Sequence, residues 1–138
     1  MKNLILVLLV LTLGACTTEI PTTPPQAWGE YSFRLESRPP VVKKGMNEFL
    51  LIGNFGERKR AVDLITSFRI GPTGKWSQAI QDGHTGVYRK AMNVVDPGSD
   101  VLYVHVKKRN DKNEIEERIF EFPLNYSIAP SSSDTSGT

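Results

Sequence analysis

Between Val62 and Ile70 the chain sets Val62, Leu64, Thr66, Phe68 and Ile70 against Asp63, Ile65, Ser67 and Arg69, a period of two held over nine residues. Successive side chains point to opposite sides only in extended backbone, so this run predicts a strand with one face on a core and the other in water. The pattern recurs along the chain. Tyr31, Phe33 and Leu35 share a face opposite Ser32, Arg34 and Glu36, and Pro39-Pro40 ends that strand. Phe49 to Ile52 is a short continuous apolar run closed by Gly53-Asn54, as expected of a strand covered on both faces. Gly71-Pro72-Thr73-Gly74 predicts a turn, with a short strand around Trp76. Val87 to Val95 continues the alternation up to the turn residues Asp96-Pro97-Gly98. Leu102, Val104 and Val106 then oppose Val101, Tyr103 and His105, Asn110 to Asn113 reads as a hairpin tip, and Ile119 to Leu124 returns as a last strand. No window carries a long apolar stripe at helical spacing. About seven short strands in roughly a hundred residues predict an all-β fold, an antiparallel immunoglobulin-like β-sandwich. The Cys…Trp…Cys arrangement of antibody domains is absent, because Cys16 is the single cysteine.

The N-terminus carries a different kind of signal. Lys2 supplies a positive start, Leu4 to Leu13 an apolar region of ten residues, and Gly14-Ala15 the small pair that a signal peptidase needs. Ten residues span only about half of the ~20 that a membrane-crossing helix requires. Leu13-Gly14-Ala15-Cys16 resembles the lipobox of bacterial lipoproteins. The resemblance implies cleavage before Cys16, a diacylglyceryl thioether on its sulfur and an acyl chain on its new amine. At ~0.8 kcal/mol per buried CH₂, three chains would make release from a bilayer negligible. Thr17 follows where many inner-membrane lipoproteins of enteric-type bacteria carry Asp, so the expected address is the outer membrane, facing the periplasm.

The expected division is therefore a signal peptide over 1–15, a lipidated tether over 16–27, a β-sandwich over 28–126 and a disordered tail over 127–138. Thr17 to Ala27 is rich in Thr and Pro and favours extended geometry, while the tail is mostly Ser, Thr, Gly, Asp and Pro. Removing 15 of the 138 residues leaves 123, a single-domain length. With no second cysteine there is no intrachain disulfide, and packing must supply the stability. The 17 basic side chains lose Lys2 and face 15 acidic ones, a net charge of +1 that gives no reason to expect nucleic acid as a partner.

A second resemblance lies in the domain. Glu36-Ser37-Arg38-Pro39-Pro40, then Lys44-Gly45-Met46-Asn47-Glu48-Phe49, then Gly86-Val87-Tyr88 and the Val-rich strand Leu102 to Val106, are similar to the YtkA-like or FixH-like periplasmic domains, over roughly residues 28–124. The family's Gly-x-Trp stands here as Ser99-Asp100-Val101-Leu102-Tyr103, without Trp, and the Met-rich centre of some relatives is missing. The resemblance implies an immunoglobulin-like sandwich and accessory work near membrane complexes or in metal handling.

Chemistry-bearing residues are few. Copper in an oxidising compartment would be held by His and Met, and the candidates are Met46, His84, Met92 and His105, none of them spaced as a local pair. His84 falls in a polar loop and His105 within an alternating strand. No nucleophile elbow, glycine-rich phosphate loop or zinc-ligand pair occurs, so no catalytic residue and no resident cofactor is expected. Glu116-Glu117 point to opposite sides of a strand, and Asp96 and Asp100 flank a turn. The basic clusters Lys43-Lys44, Arg58-Lys59-Arg60 and Lys107-Lys108-Arg109 fall at loops or strand ends, where charge keeps the ends soluble and blocks edge pairing. Their functional alternative is contact with anionic lipid heads or an acidic partner. Trp76 is expected to plug the core; exposed instead, it would be a rigid anchor for a protein of the envelope, with His84 and Tyr88 as further contact candidates. The expected function is a membrane-anchored, non-catalytic binding or accessory module of an envelope complex, with copper binding or delivery as the alternative.

Overall fold

Residues 19–128 are described by the computed structural model. Among them the alternating segments become strands β1 (Gln26–Trp28), β2 (Tyr31–Arg38), β3 (Gly45–Phe55), β4 (Lys59–Arg60), β5 (Ile65–Ile70), β6 (Ser77–Gln78), β7 (Ile80–Gln81), β8 (Val87–Val94), β9 (Val101–Arg109) and β10 (Ile115–Pro123), followed by one 3₁₀ turn, Leu124–Ser127. They form two antiparallel sheets. One runs β1-β2-β3-β8-β7, with β4 also on β3, and the other runs β10-β9-β5-β6. In immunoglobulin lettering, β2-β3-β8-β7 take the order A-B-E-D and β10-β9-β5 the order G-F-C, so the expected β-sandwich is the observed one.

The core is what the period-two pattern requires. Phe33 and Leu35 of β2, Phe49 and Leu51 of β3 and Tyr88 and Val94 of β8 face Phe68 of β5, Leu102, Val104 and Val106 of β9 and Phe120 and Phe122 of β10, all buried. Phe33 and Phe120 meet across the sandwich with ring centroids 5.1 Å apart. Phe49, Leu50 and Leu51 are buried in succession, as their continuous apolar run implied.

The element bounds differ from expectation where polar residues extend a strand. β3 reaches back to Gly45 because the buried Asn47 side chain is saturated: its Oδ1 accepts from Lys43 N at 3.0 Å and its Nδ2 donates to Lys43 O at 2.7 Å and Gly45 O at 3.0 Å. β10 begins at Ile115, its charged first half hydrogen-bonded to β9 and exposed. β5 begins only at Ile65; Leu64 is buried beside it but is held by the Tyr88 hydroxyl, which its N–H reaches at 3.2 Å.

Both domain boundaries also move. Thr23 is buried, its N–H donating to Leu35 O at 3.1 Å and its Oγ1 accepting from Leu35 N at 2.8 Å, and β1 pairs with β2 from Gln26. The sandwich therefore takes in residues expected in the tether, because an unpaired β2 edge offered hydrogen bonds to a Thr hydroxyl. At the other boundary Ser127 is buried and accepts from Val42 N at 2.9 Å, so it belongs to the domain and not to the tail. The signal segment, Cys16 and the tail beyond 128 lie outside the described residues. Among the described residues no helix is long and apolar enough to cross a membrane.

The chain enters and leaves at one end of the sandwich. Thr22 and Thr23 lie against Leu35, and the Tyr126 hydroxyl donates to Ser37 Oγ at 3.1 Å. Tyr31, Phe55, Ile65, Arg109 and Ile115 lie at the other end of their strands. Eleven residues of β3 at about 3.3 Å each separate the two ends by roughly 35 Å.

Candidate binding face on the four-stranded sheet

The residues of β5 and β9 that alternate with the core point outward, and the register sets them in rows. Arg69 is opposite Tyr103, Ser67 opposite His105 and Ile65 opposite Lys107. Across the next ladder, Tyr103 is opposite Glu121, His105 opposite Ile119 and Lys107 opposite Glu117. Trp76 precedes β6 immediately, so it stands beside Arg69.

The first row forms a stack. The Arg69 guanidinium carbon lies 4.3 Å from the centre of the Trp76 ring and 5.1 Å from that of Tyr103. The other neighbour of Trp76 is the imidazole of His105, centroid to centroid 5.6 Å. His105 Nε2 is 3.1 Å from Glu117 Oε2, a hydrogen bond that orients the imidazole, and His105 keeps 21% of its side chain exposed. Arg69 Nε is buried without a hydrogen-bond partner among the described residues, which marks the guanidinium as held by the flanking rings more than by polar contacts. A cation over an aromatic face contributes about 0.5–1 kcal/mol when exposed and about 2 when desolvated.

Trp76 is 38% exposed and lies outside the core, which corrects the expectation of a buried plug. The reason is the turn Gly71 to Gly74, which brings the chain back along the outer side of β5, so the ring finds Arg69 and not the interior. Ile119 and Ile65, on the same face, are 50% and 56% exposed. The surface thus carries an aromatic and guanidinium row at one end and isoleucines along it.

Ser67, His105 and Glu117 adjoin on this face, an order that resembles nucleophile, base and orienting acid. Among the described residues, however, no hydrogen bond joins the serine hydroxyl to the imidazole, whose Nε2 is turned to Glu117.

The remaining sequence candidates do not converge here. Tyr88 is 1% exposed and cannot touch a partner: its hydroxyl donates to Val62 O at 2.7 Å or Ala61 O at 2.9 Å and accepts from Leu64 N. Burial pushes its phenol up to about 12. His84 is exposed in the loop between β7 and β8, on the other sheet. Met46 is 57% exposed, whereas Met92, next to its row, packs against the core; adjacent registers put them on opposite faces of the six-stranded sheet. With His105 on the outer face of the opposite sheet, these four side chains do not form one copper site. Among the described residues no group of three His, Cys, Asp or Glu could hold a metal ion. The acidic pairs behave as expected of structural charge. Asp100 Oδ2 accepts from Val95 N and Asp96 N, while Glu116 pairs with Lys108 and Glu117 with His105.

No family model matches the chain, and no curated protein matches it. Among solved structures, the crystal structure of a Br derivative of BhCBM56 is similar, with a TM-score of 0.46 at 9% identity over 73% of this chain and 99% of that chain.

Proposed function

We propose that this chain is a lipid-anchored, non-catalytic binding module of the bacterial envelope, acting as an accessory subunit through the outer face of β10-β9-β5-β6. The observation that carries the reading is the exposed Trp76 ring, stacked between Arg69 and His105 on the outer face of the sheet. Preordered aromatic and Arg side chains are the groups that dominate protein interfaces, because they bury much area with little loss of rotamer freedom. The lipobox-like Leu13-Gly14-Ala15-Cys16 supports the anchor, and the resemblance to YtkA-like and FixH-like domains supports accessory work on an envelope complex at the outer or inner membrane.

A photo-crosslinking side chain at Gln78, beside Trp76, should give a discrete adduct with an envelope protein in cells. The same group at Ala91, on the outer face of the other sheet, should give none. Trp76→Ala should remove the Gln78 adduct, as expected for an anchor whose truncation costs at least about 2 kcal/mol, or roughly thirtyfold in affinity. Equal adducts from both sheets, or an adduct indifferent to Trp76, would overturn the assignment. The anchor is tested separately: labelled palmitate should enter the native chain and not Cys16→Ser, and that variant should leave the membrane fraction.

A further inference from the structure

A cleft of about 500 Å³ opens at the end of the sandwich away from Thr23 and Tyr126, between the start of β5, the end of β9 and the start of β10. Three consecutive cations, Lys107, Lys108 and Arg109, line it, and the pleat gives them different roles. Lys108 points inward. Its ammonium lies 4.4 Å from the centre of Trp28, 4.6 Å from that of Tyr31 and 3.4 Å from Glu116 Oε2, so its charge is already matched. Asn110 and Lys108 also hold the Glu116 carboxyl below its ordinary range.

Lys107 and Arg109 point outward. Among the described residues Lys107 makes no ion pair, because its cross-strand neighbour Glu117 is turned to His105. Arg109 spends one N–H group on Asn113, at 3.3 Å from both its backbone and side-chain oxygens, and among the described residues has no carboxylate partner. Beside each cation is an exposed isoleucine: Ile65 opposite Lys107 at 56% exposure and Ile115 opposite Arg109 at 61%. The single carboxylate among the lining residues is Asp63.

We infer that this cleft binds an acidic peptide segment, with carboxylates on Lys107 and Arg109 and apolar side chains on Ile65 and Ile115. Charge complementarity selects an anion, and the alternation of cation and isoleucine selects one that is apolar between its charges. A bare phosphate would leave both isoleucines in water. The volume falls within the usual range for ligand pockets. Asp63, exposed at the mouth, accepts from a peptide N–H and disfavours ligands that are anionic throughout. Ile65 and Lys107 lie on the same outer face as Trp76, two rows further along β5 and β9, so the cleft continues that face at its far end, and the peptide test below reads it without Trp76.

Fluorescence anisotropy on the full chain in detergent, with a labelled Glu-Leu-Asp-Leu-Glu peptide, tests the assignment. Saturable binding should weaken at least tenfold on going from 50 to 300 mM salt, and at least tenfold in Lys107→Gln/Arg109→Gln. That neutral pair avoids placing a new negative charge beside Glu117, and its fold is checked by circular dichroism. Ile65→Ser/Ile115→Ser should weaken binding at least fivefold, while Lys43→Gln/Lys44→Gln at the opposite end should change it less than twofold. Absence of saturable binding, or equal binding by the Lys107/Arg109 variant, overturns the proposal. So does equal or tighter competition by a Glu-Gly-Asp-Gly-Glu peptide, a single-stranded oligonucleotide or phosphatidylglycerol vesicles, each of which would make the site a general anion surface.

Discussion

Tyr88 shows how far a single polar atom can tie this sandwich together. Its hydroxyl closes the Ala61-to-Leu64 crossover against β8 through two carbonyls and one N–H, all deep in the structure. Tyr88→Phe keeps the ring and strips the hydroxyl from the buried Ala61 carbonyl, while Leu64 N–H and Val62 O keep each other at 3.0 Å, so it should lower the unfolding free energy by about 1–3 kcal/mol, read from the urea midpoint at unchanged slope. The same hydroxyl gives a pH signature. The folded chain keeps its proton to about pH 12, against 10.0 for an ordinary tyrosine, so between these values the unfolded state binds fewer protons. Stability should be intact below pH 10 and fall as pH rises toward 12, and Tyr88→Phe should flatten that fall in denaturant titrations at stepped pH. The Gly-x-Tyr around Tyr88 was visible in the sequence, but its role was not: a tyrosine in an alternating strand can face either way until the sheet has a partner.

Two junctions between elements depend on backbone geometry that no periodicity reveals. Gly86, at the entry to β8, has φ +73°, and a Cβ there would stand 2.7 Å from Gly53 O, whose own N–H donates to Gly86 O at 2.8 Å. Gly83, in the same loop at φ +58°, has open space around it. Gly83→Ala should therefore cost about 1 kcal/mol from left-handed backbone alone, and Gly86→Ala distinctly more, with the difference read in thermal midpoints. At the other end of the chain the 3₁₀ turn after β10 is part of the core. Leu124 is fully buried, and Ser127 receives the Val42 N–H. Ending the chain at Pro123 should cost about 2–5 kcal/mol, the range for emptying a buried Leu site, whereas ending it at Ile128 should leave the urea midpoint unchanged.

For the whole molecule, the chain enters and leaves the described fold at one end of the sandwich and the Lys107-Arg109 cleft lies at the other, roughly 35 Å away along β3. Thr23, packed on β2, stands only seven positions after Cys16, so a lipid on Cys16 would hold this end of the fold close to the membrane. In vesicles, a fluorophore at Pro97→Cys, at the end of the fold that a lipid on Cys16 would anchor, should be quenched by headgroup-labelled lipid several times more strongly than one at Lys112→Cys. Equal quenching would mean that the domain tumbles freely on its tether. The two-residue alternation by itself determined the longer strands, their core faces and the sandwich class, because burying one face of each strand admits few other solutions, whereas the short strands β1 and β4 carry no such pattern. Lys2 to Cys16 likewise determined the expected address. Only the tertiary structure decided that Trp76 stacks on Arg69 outside the core, that Tyr88 is a buried clasp and that Lys107 and Arg109 share a cleft with two isoleucines. Those contacts join residues from strands far apart in the chain, and their distances are set by register across the sheet, which local sequence does not encode.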